Sequence, residues 1–326
     1  MVEFWTVALG ITLFLYVLLD GFDLGVGILF GLTTDQARRD AMVAMVAPVW
    51  DGNETWLVLT AAILFGAFPP AYSLLLSAFY VPLLLMLASL ILRGVAFEFR
   101  ARGGLARPLW DAGFTLGSLF ATFVQGATVG ALIVGIPEVD GRYVGGPFTW
   151  ASPFAILCGI GLCLGYSLLG AGWLVRKGQG EIRDHAYRML TPLLASVIVF
   201  LAVASAYSFW LDLPVLHRWI DRPVLAVFPI MGLAAVWTVV KGVAGRRDRL
   251  PFVGAAGIFA SAFGALACSF LPYIVPFRMT LDQAAAPASS LAFLFWGAGL
   301  FVLPITLIYT ASVYYIFRGK TVQSER

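Results

Sequence analysis

The chain has 326 residues, of which 60% are hydrophobic and only 12% charged, against roughly 25% charged in ordinary soluble domains. That composition excludes a water-soluble globular domain. The net charge of +3 is spread over several short polar segments and forms no single stripe, which excludes a nucleic-acid-binding surface.

A bilayer core of ~30 Å takes about 20 apolar helical residues to cross. Apolar blocks of that length run, in chain order, over 4–31, 41–66, 72–96, 111–136, 150–175, 189–211, 223–242, 251–275 and 291–317. Blocks such as Val81 to Ile91 show none of the alternation of a barrel strand. The expected fold is therefore an all-α integral membrane protein with nine transmembrane helices, one polytopic domain over 1–326. Met1-Val2-Glu3 lacks a basic n-region and the first block is too long for a cleavable signal, so it is expected to stay as a span. Polar stretches such as Arg176 to Arg188 read as loops, and the short Gly31 to Asp40 link makes spans one and two antiparallel neighbours.

Of the 21 Lys and Arg, 17 fall on the side reached after spans one, three, five, seven and nine. The positive-inside rule then puts the N-terminus in the periplasm and the C-terminus in the cytoplasm.

Two runs stand out inside these blocks: Asp20-Gly21-Phe22-Asp23-Leu24-Gly25 in the first and Trp50-Asp51-Gly52-Asn53-Glu54-Thr55-Trp56 in the second. A carboxylate at bilayer depth costs several kcal/mol unless it is paired, protonated or hydrated, so such residues mark ion or proton routes by default. At ~1.5 Å per residue Asp20 lies about 16 Å from Gly31 and Asp51 about 15 Å from Ala41, which sets the pairs at one depth. Within each run the spacing is i,i+3, so Asp20 and Asp23 share a face, as do Asp51 and Glu54. If those faces meet, four carboxyl groups converge and some must hold protons, as a proton relay requires. Arg93 either neutralises one of these acids or snorkels to the headgroups. Trp50 and Trp56 either stack on a planar cofactor or fill space between helices. Gly21, Gly25 and Gly27 suit close helix approach.

The two histidines, His185 and His217, fall in polar segments, so no buried haem or metal is expected on this chain. Cys158, Cys163 and Cys268 have no Cys-x-x-Cys spacing and read as buried small residues. Met42, Met45 and Met279 are assigned no ligand role. There is no Gly-Lys-Ser/Thr nucleotide loop.

The first hundred residues carry a resemblance. Asp20-Gly-Phe-Asp23-Leu-Gly-Val-Gly27, Ala47-Pro-Val-Trp50-Asp51-Gly-Asn53-Glu54-Thr-Trp56-Leu57 and Ser89-Leu-Ile-Leu-Arg93-Gly-Val-Ala-Phe-Glu98-Phe-Arg100 closely resemble subunit II of the bacterial cytochrome bd-type quinol oxidases. The Trp-Asp-Gly-Asn-Glu-Thr-Trp form looks most like the cyanide-insensitive branch. Later segments agree in length and in the Leu303-Pro304-Ile-Thr-Leu-Ile-Tyr309 run.

The resemblance implies a complex in the bacterial cytoplasmic (inner) membrane that oxidises quinol, reduces dioxygen to water and contributes to the proton-motive force. It implies that haems b and d are ligated by a larger subunit I. This chain would be its non-haem partner, built as two four-helix bundles plus a peripheral helix. Carried over by motif, Asp51 matches an acid on a proton path from the cytoplasm, and Asp23 and Arg93 match charged positions of the first and third helices. Glu54 and Asp20 join that expected path from their spacing. Some members hold a quinone in an apolar groove, and a small single-helix accessory subunit is a further expected partner. The competing reading is a secondary transporter with an intramembrane carboxylate ion site. Its usual inverted repeat is missing, because no matching acidic pair appears in the second half of the chain.

Overall fold

The computed structural model describes residues 1–320. Its helices are α1 (Val2–Gly31), α2 (Gln36–Val46), α3 (Trp50–Ala67), α4 (Pro69–Arg100), α5 (Arg107–Val134), α6 (Pro153–Lys177) and α7 (Gly180–Trp210). Then come α8 (Pro214–Asp221), α9 (Val227–Ala244), α10 (Leu250–Phe270), α11 (Leu281–Ala284), α12 (Ala288–Leu294) and α13 (Leu300–Ile316). Two small antiparallel hairpins sit in loops: β1 (Glu138–Val139) with β2 (Arg142–Tyr143), and β3 (Tyr273–Val275) with β4 (Met279–Thr280).

Among the described residues, eight helical stretches are long and apolar enough to cross a membrane: Val2–Gly31, Pro69–Arg100, Gly104–Val134, Pro153–Lys177, Gly180–Trp210, Pro223–Ala244, Leu250–Phe270 and Ala288–Ile316. The helix is the natural answer to such sequences, since lipid offers no partner for a free backbone N–H or C=O. Proline begins several of them, where its missing N–H costs nothing. In α6, Pro153 comes after an N-cap serine, Ser152, whose hydroxyl accepts from the Ala155 N–H at 3.2 Å.

The expected second span, 41–66, is broken. The helix stops at Val46, turns through Ala47, Pro48 and Val49, and restarts at Trp50. Pro48 supplies the reason, because it has no N–H to donate and its ring clashes with the preceding turn. The restarted helix, α3, is 18 residues long and falls outside the eight stretches above. Asp51, Asn53 and Glu54 crowd its first turns and dilute its apolar content.

Three other boundaries differ from expectation. The expected span 251–275 stops at Phe270, and Pro272 and the residues after it turn into the β3–β4 hairpin. The stretch Arg176 to Arg188 is mostly helix, because α7 already begins at Gly180, and His185 therefore sits in its early turns. The expected span 291–317 is interrupted by a π turn at Phe295–Gly299, which separates α12 from α13.

α1 is the central strut, packing on α3, α5 and α6. It crosses α6 backbone to backbone: a Cβ on Gly25 would stand 1.8 Å from the Tyr166 carbonyl oxygen, and one on Gly170 would stand 2.6 Å from the Gly25 carbonyl carbon. Only glycine permits that approach. α4 packs along α5, α5 along α6, α6 along α7 and α9 along α10. One apolar core joins α1, α2, α6, α7 and α10 around Phe22, Trp173 and Leu190, and a second lies around Trp5, Phe68 and Phe79. Met42 and Met45 are filler in the first core. The three cysteines are free thiols and only half-buried. No residue of α13 is fully buried.

Candidate functional site

Asp20 and Asp23 lie one turn apart on α1, and both are fully buried. Arg93, on α4, reaches into the same space. Its Nη1 donates to Asp20 Oδ1 at 2.9 Å, and the residue is 1% exposed, so it neutralises an acid and does not snorkel. A buried pair of this kind is held together because either partner left alone would be an uncompensated charge.

α3 turns the face Asn53, Trp56, Thr60, Ile63 and Ala67 inward. Asn53 is therefore the residue that meets Asp23: its Nδ2 donates to Asp23 Oδ2 at 2.6 Å and to the Leu19 carbonyl at 3.2 Å. These bonds set the start of α3 level with the acid pair of α1. The Asn53 Oδ1 accepts from the Tyr314 hydroxyl of α13 at 2.9 Å. The result is a polarised file, Tyr314 to Asn53 to Asp23, in which each donor strengthens the next.

Asp51 and Glu54 leave α3 beside that inward face. Asp51 is exposed and Glu54 half-buried, and both line an open cavity of about 320 Å³ with Trp50, Thr55, Val58, Leu90, Ile91 and Gly94. Asp51 stands in the first turn of α3, where unpaired backbone N–H groups favour a negative charge. The two acids of α1 thus face the interior, the two of α3 face the cavity, and Glu54 stands between, within electrostatic reach of Asp20 and Arg93.

Trp50 packs on Phe97 and Gly94 of α4, with ring centroids 5.1 Å apart in the aromatic pair. Trp56 is wholly buried. Asp20 Oδ2, Asp23 Oδ1, Arg93 Nε and Trp56 Nε1 are buried with no protein partner, an unusual concentration of unmet hydrogen-bonding capacity in one place.

Several polar groups carry no signal in the sequence. Tyr16 accepts from Gln125 Nε2 at 2.7 Å, and Tyr166 donates to Gln125 Oε1 at 3.3 Å, extending the polar interior one turn beyond Asp20. At the other end of α1 an ionic knot straps α2 to its neighbours. Arg100 Nε donates to Asp111 Oδ1 at 2.5 Å and Arg100 Nη1 to Asp40 Oδ1 at 2.6 Å, Arg39 reaches Asp111 Oδ2 at 2.9 Å, and Arg107 also bonds Asp40. Burial alone would raise the Asp40 carboxyl, but the bonds from Arg107 and Arg100 outweigh it and hold the group below its ordinary value. The spacing of Asp40, Arg100 and Asp111 along the chain gives no sign of this knot.

Neither histidine offers a buried haem ligand. His217 is exposed beside Asp212, at 3.2 Å, and His185 is half-buried near the start of α7. Among the described residues no three His, Cys, Asp or Glu side chains converge as a metal site.

Comparison with known proteins gives one family. The family model for cytochrome bd terminal oxidase subunit II matches residues 1–317. Cytochrome bd-I ubiquinol oxidase subunit 2 of Escherichia coli (strain K12) is 29% identical over 98% of this chain and 95% of that protein. Cytochrome bd ubiquinol oxidase subunit 2 of Bacillus subtilis (strain 168) is 26% identical over 99% and 97%. The bd oxidase from Geobacillus thermodenitrificans, a solved structure, has the same fold with a TM-score of 0.74 at 18% identity, covering 97% of this chain and 99% of that one. The chain is a multi-pass membrane protein and belongs to the cytochrome bd terminal oxidase subunit II family.

Proposed function

We propose that this chain is the non-haem subunit of a quinol:oxygen oxidoreductase in the bacterial inner membrane, where it stabilises a haem-bearing subunit I and feeds protons to it from the cytoplasm. The observation that carries the proposal is the pair Asp51 and Glu54 on an open cavity, set against the closed cluster of Asp20, Asp23, Arg93 and Asn53. Haems b and d, held by subunit I, supply the dioxygen reduction. This chain takes part through its own acids. One guanidinium balances one carboxylate in the closed cluster, which leaves the second carboxyl as a place for one exchangeable proton. Glu54 links that cluster to the cavity, and Asp51 meets the water.

In this reading α3 is a ninth span, shorter and more polar than the rest because it borders the partner. The N-terminus lies in the periplasm. Helices α1, α3, α4 and α5 form one bundle and α6, α7, α9 and α10 the other, with α12–α13 peripheral. The packing of α1 on α3 and α5, of α4 on α5, and of α10 on α6 and α9 supports that grouping. A bound quinone and a small single-helix accessory subunit belong to the same reading. The transporter alternative is set aside, because all four acids sit on α1 and α3 with no counterpart in the second half.

The test is Asp51→Asn in the assembled, haem-loaded complex. Oxygen consumption should fall by about tenfold or more while the KM for quinol stays put. Unchanged turnover removes Asp51 from the path.

A further inference from the structure

We propose that Lys177 is a positioning residue that clasps the end of the last helix, so that Tyr314 reaches Asn53 and, through it, Asp23. The proposal rests on the proton-delivery reading above and adds to it a residue that lies far along the chain from both acidic runs.

Lys177 is a cation at the end of α6 with 6% exposure, and it has no carboxylate partner among the described residues. Its ammonium is met in two other ways. It donates to the carbonyls of Phe317 and Gly319, the latter at 3.1 Å, and it lies 5.1 Å from the centroid of the Trp173 ring. Phe317 is the C-cap of α13. The last carbonyls of a helix have no partner of their own and carry the negative end of its dipole, so a lysine there both satisfies them and is stabilised by them.

Besides the clasp, this end of the chain is tied by an ion pair from Lys320 to Asp248, beyond the helix itself. The helix buries no residue completely, and near this end only Val313 and Tyr314 rest against the main core. A tryptophan links clasp and site: Trp173 is under the Lys177 ammonium, and its ring meets the Tyr314 ring edge-on at 6.0 Å. Trp173 itself is fixed, with its Nε1 donating to the Met45 carbonyl at 3.1 Å and its face stacked on Phe22 at 4.1 Å. Lys177 therefore sets the height of α13 against a Trp173 surface that is already fixed, and with it where Tyr314 lies. With Tyr314 in place, the Asn53 amide has a fixed orientation, its oxygen toward the tyrosine and its nitrogen toward Asp23. Without it, the amide keeps its bond to the Leu19 carbonyl but loses the donor to its oxygen, so it is less polarised and held less firmly against Asp23. The charged or titratable groups around Asp23 are Asp20 on α1, Glu54 on α3, Arg93 on α4 and Tyr314 on α13.

The experiment uses the whole oxidase complex with Lys177→Met, Lys177→Arg, Tyr314→Phe and the Lys177→Met/Tyr314→Phe double variant. Two quantities are read: amide hydrogen exchange over residues 313–320, and the pH profile of oxygen consumption. Lys177→Met should speed exchange over that segment and displace the pH profile in the same direction as Tyr314→Phe. Each should lower turnover by about fivefold, the weight of one hydrogen bond. The double variant should be no worse than either single variant, and Lys177→Arg should restore most of both readouts. Exchange unchanged by Lys177→Met overturns the clasp whatever the turnover. Faster exchange with a wild-type pH profile overturns the link to Asp23. Failure of the proton reading shows separately, as unchanged turnover in Asp51→Asn.

Discussion

Arg93 and Asp20 form an ion pair at 2.9 Å in which the side chains are 2% and 0% exposed. The pair joins the third long helix to the first at the level where the second acidic pair begins. It is the only charge-charge contact among the described residues that lies wholly within this closed cluster, so it fixes α4 against α1 as well as neutralising an acid.

Removing one partner should cost far more than removing both. Arg93→Met leaves a buried carboxylate without its cation, and about 3–5 kcal/mol of stability should be lost. The double variant Arg93→Met/Asp20→Leu replaces the pair by apolar groups of similar bulk and should recover most of that loss. Denaturation midpoints of the purified complex measure both. A double variant as unstable as the single one would mean that the pair gives more than mutual neutralisation.

Glu54 and Asp51 stand on one cavity wall, one half-buried and one exposed, so a proton entering by Asp51 should pass Glu54. Glu54→Gln should therefore lower oxygen consumption about as much as Asp51→Asn, and the double variant should add little to either. Multiplicative losses would indicate two separate routes. Glu54→Asp, which keeps the acid on a shorter arm, should fall between.

Much of this arrangement was legible in the chain because burial and charge conflict so sharply in it. Asp20, Asp23 and Arg93 announce themselves against an apolar background, and their spacing on a helix puts the acids on one face. Composition likewise carried the helical, membrane-spanning character of the fold. What the sequence hid was long-range or backbone-borne. Pro48 breaks the second apolar block, yet a proline within a run that could be a kinked span gives no warning of a complete restart. The rotation of α3 after that break brings Asn53 to Asp23 and turns Asp51 outward, and no single-helix spacing encodes that angle. Tyr314 lies 261 positions from Asn53 along the chain and has no motif around it. Pairing Arg100 with Asp40 and Asp111 likewise depends on how α2 folds back.

The knot that straps α2 should be the acid-labile part of the fold. Against the upward push of burial, Arg107 and Arg100 hold Asp40 below the ordinary carboxylate range, so its contribution is present above the unfolded value of about 3.9 and is lost as pH falls through the lower folded value. Asp40→Asn should lower the thermal midpoint by a constant amount from neutral pH down to about pH 5, and the gap to wild type should close below about pH 4. Because Asp40 is half exposed, the gap should be small and should shrink further in high salt. A gap that persists at about pH 3 would show that the aspartate acts through something other than its charge.

The α1–α6 crossing gives the sharpest steric test. A Cβ on Gly25 would fall 1.8 Å from the Tyr166 carbonyl oxygen, which is backbone and cannot rotate away. Gly25→Ala must therefore push the two helices apart. Because Asp23 lies two residues away on α1, the separation should loosen the Asn53 bond as well. Complex yield and thermal midpoint should both fall sharply, and what assembles should turn over slowly. Gly10→Ala, on the same helix with nothing within 4 Å of the added carbon, is the matched control and should be neutral or slightly stabilising through helix propensity. Equal behaviour of the two variants would mean that α1 and α6 do not touch at Gly25, and the packing of α1 that carries Asp20 and Asp23 would have to be redrawn.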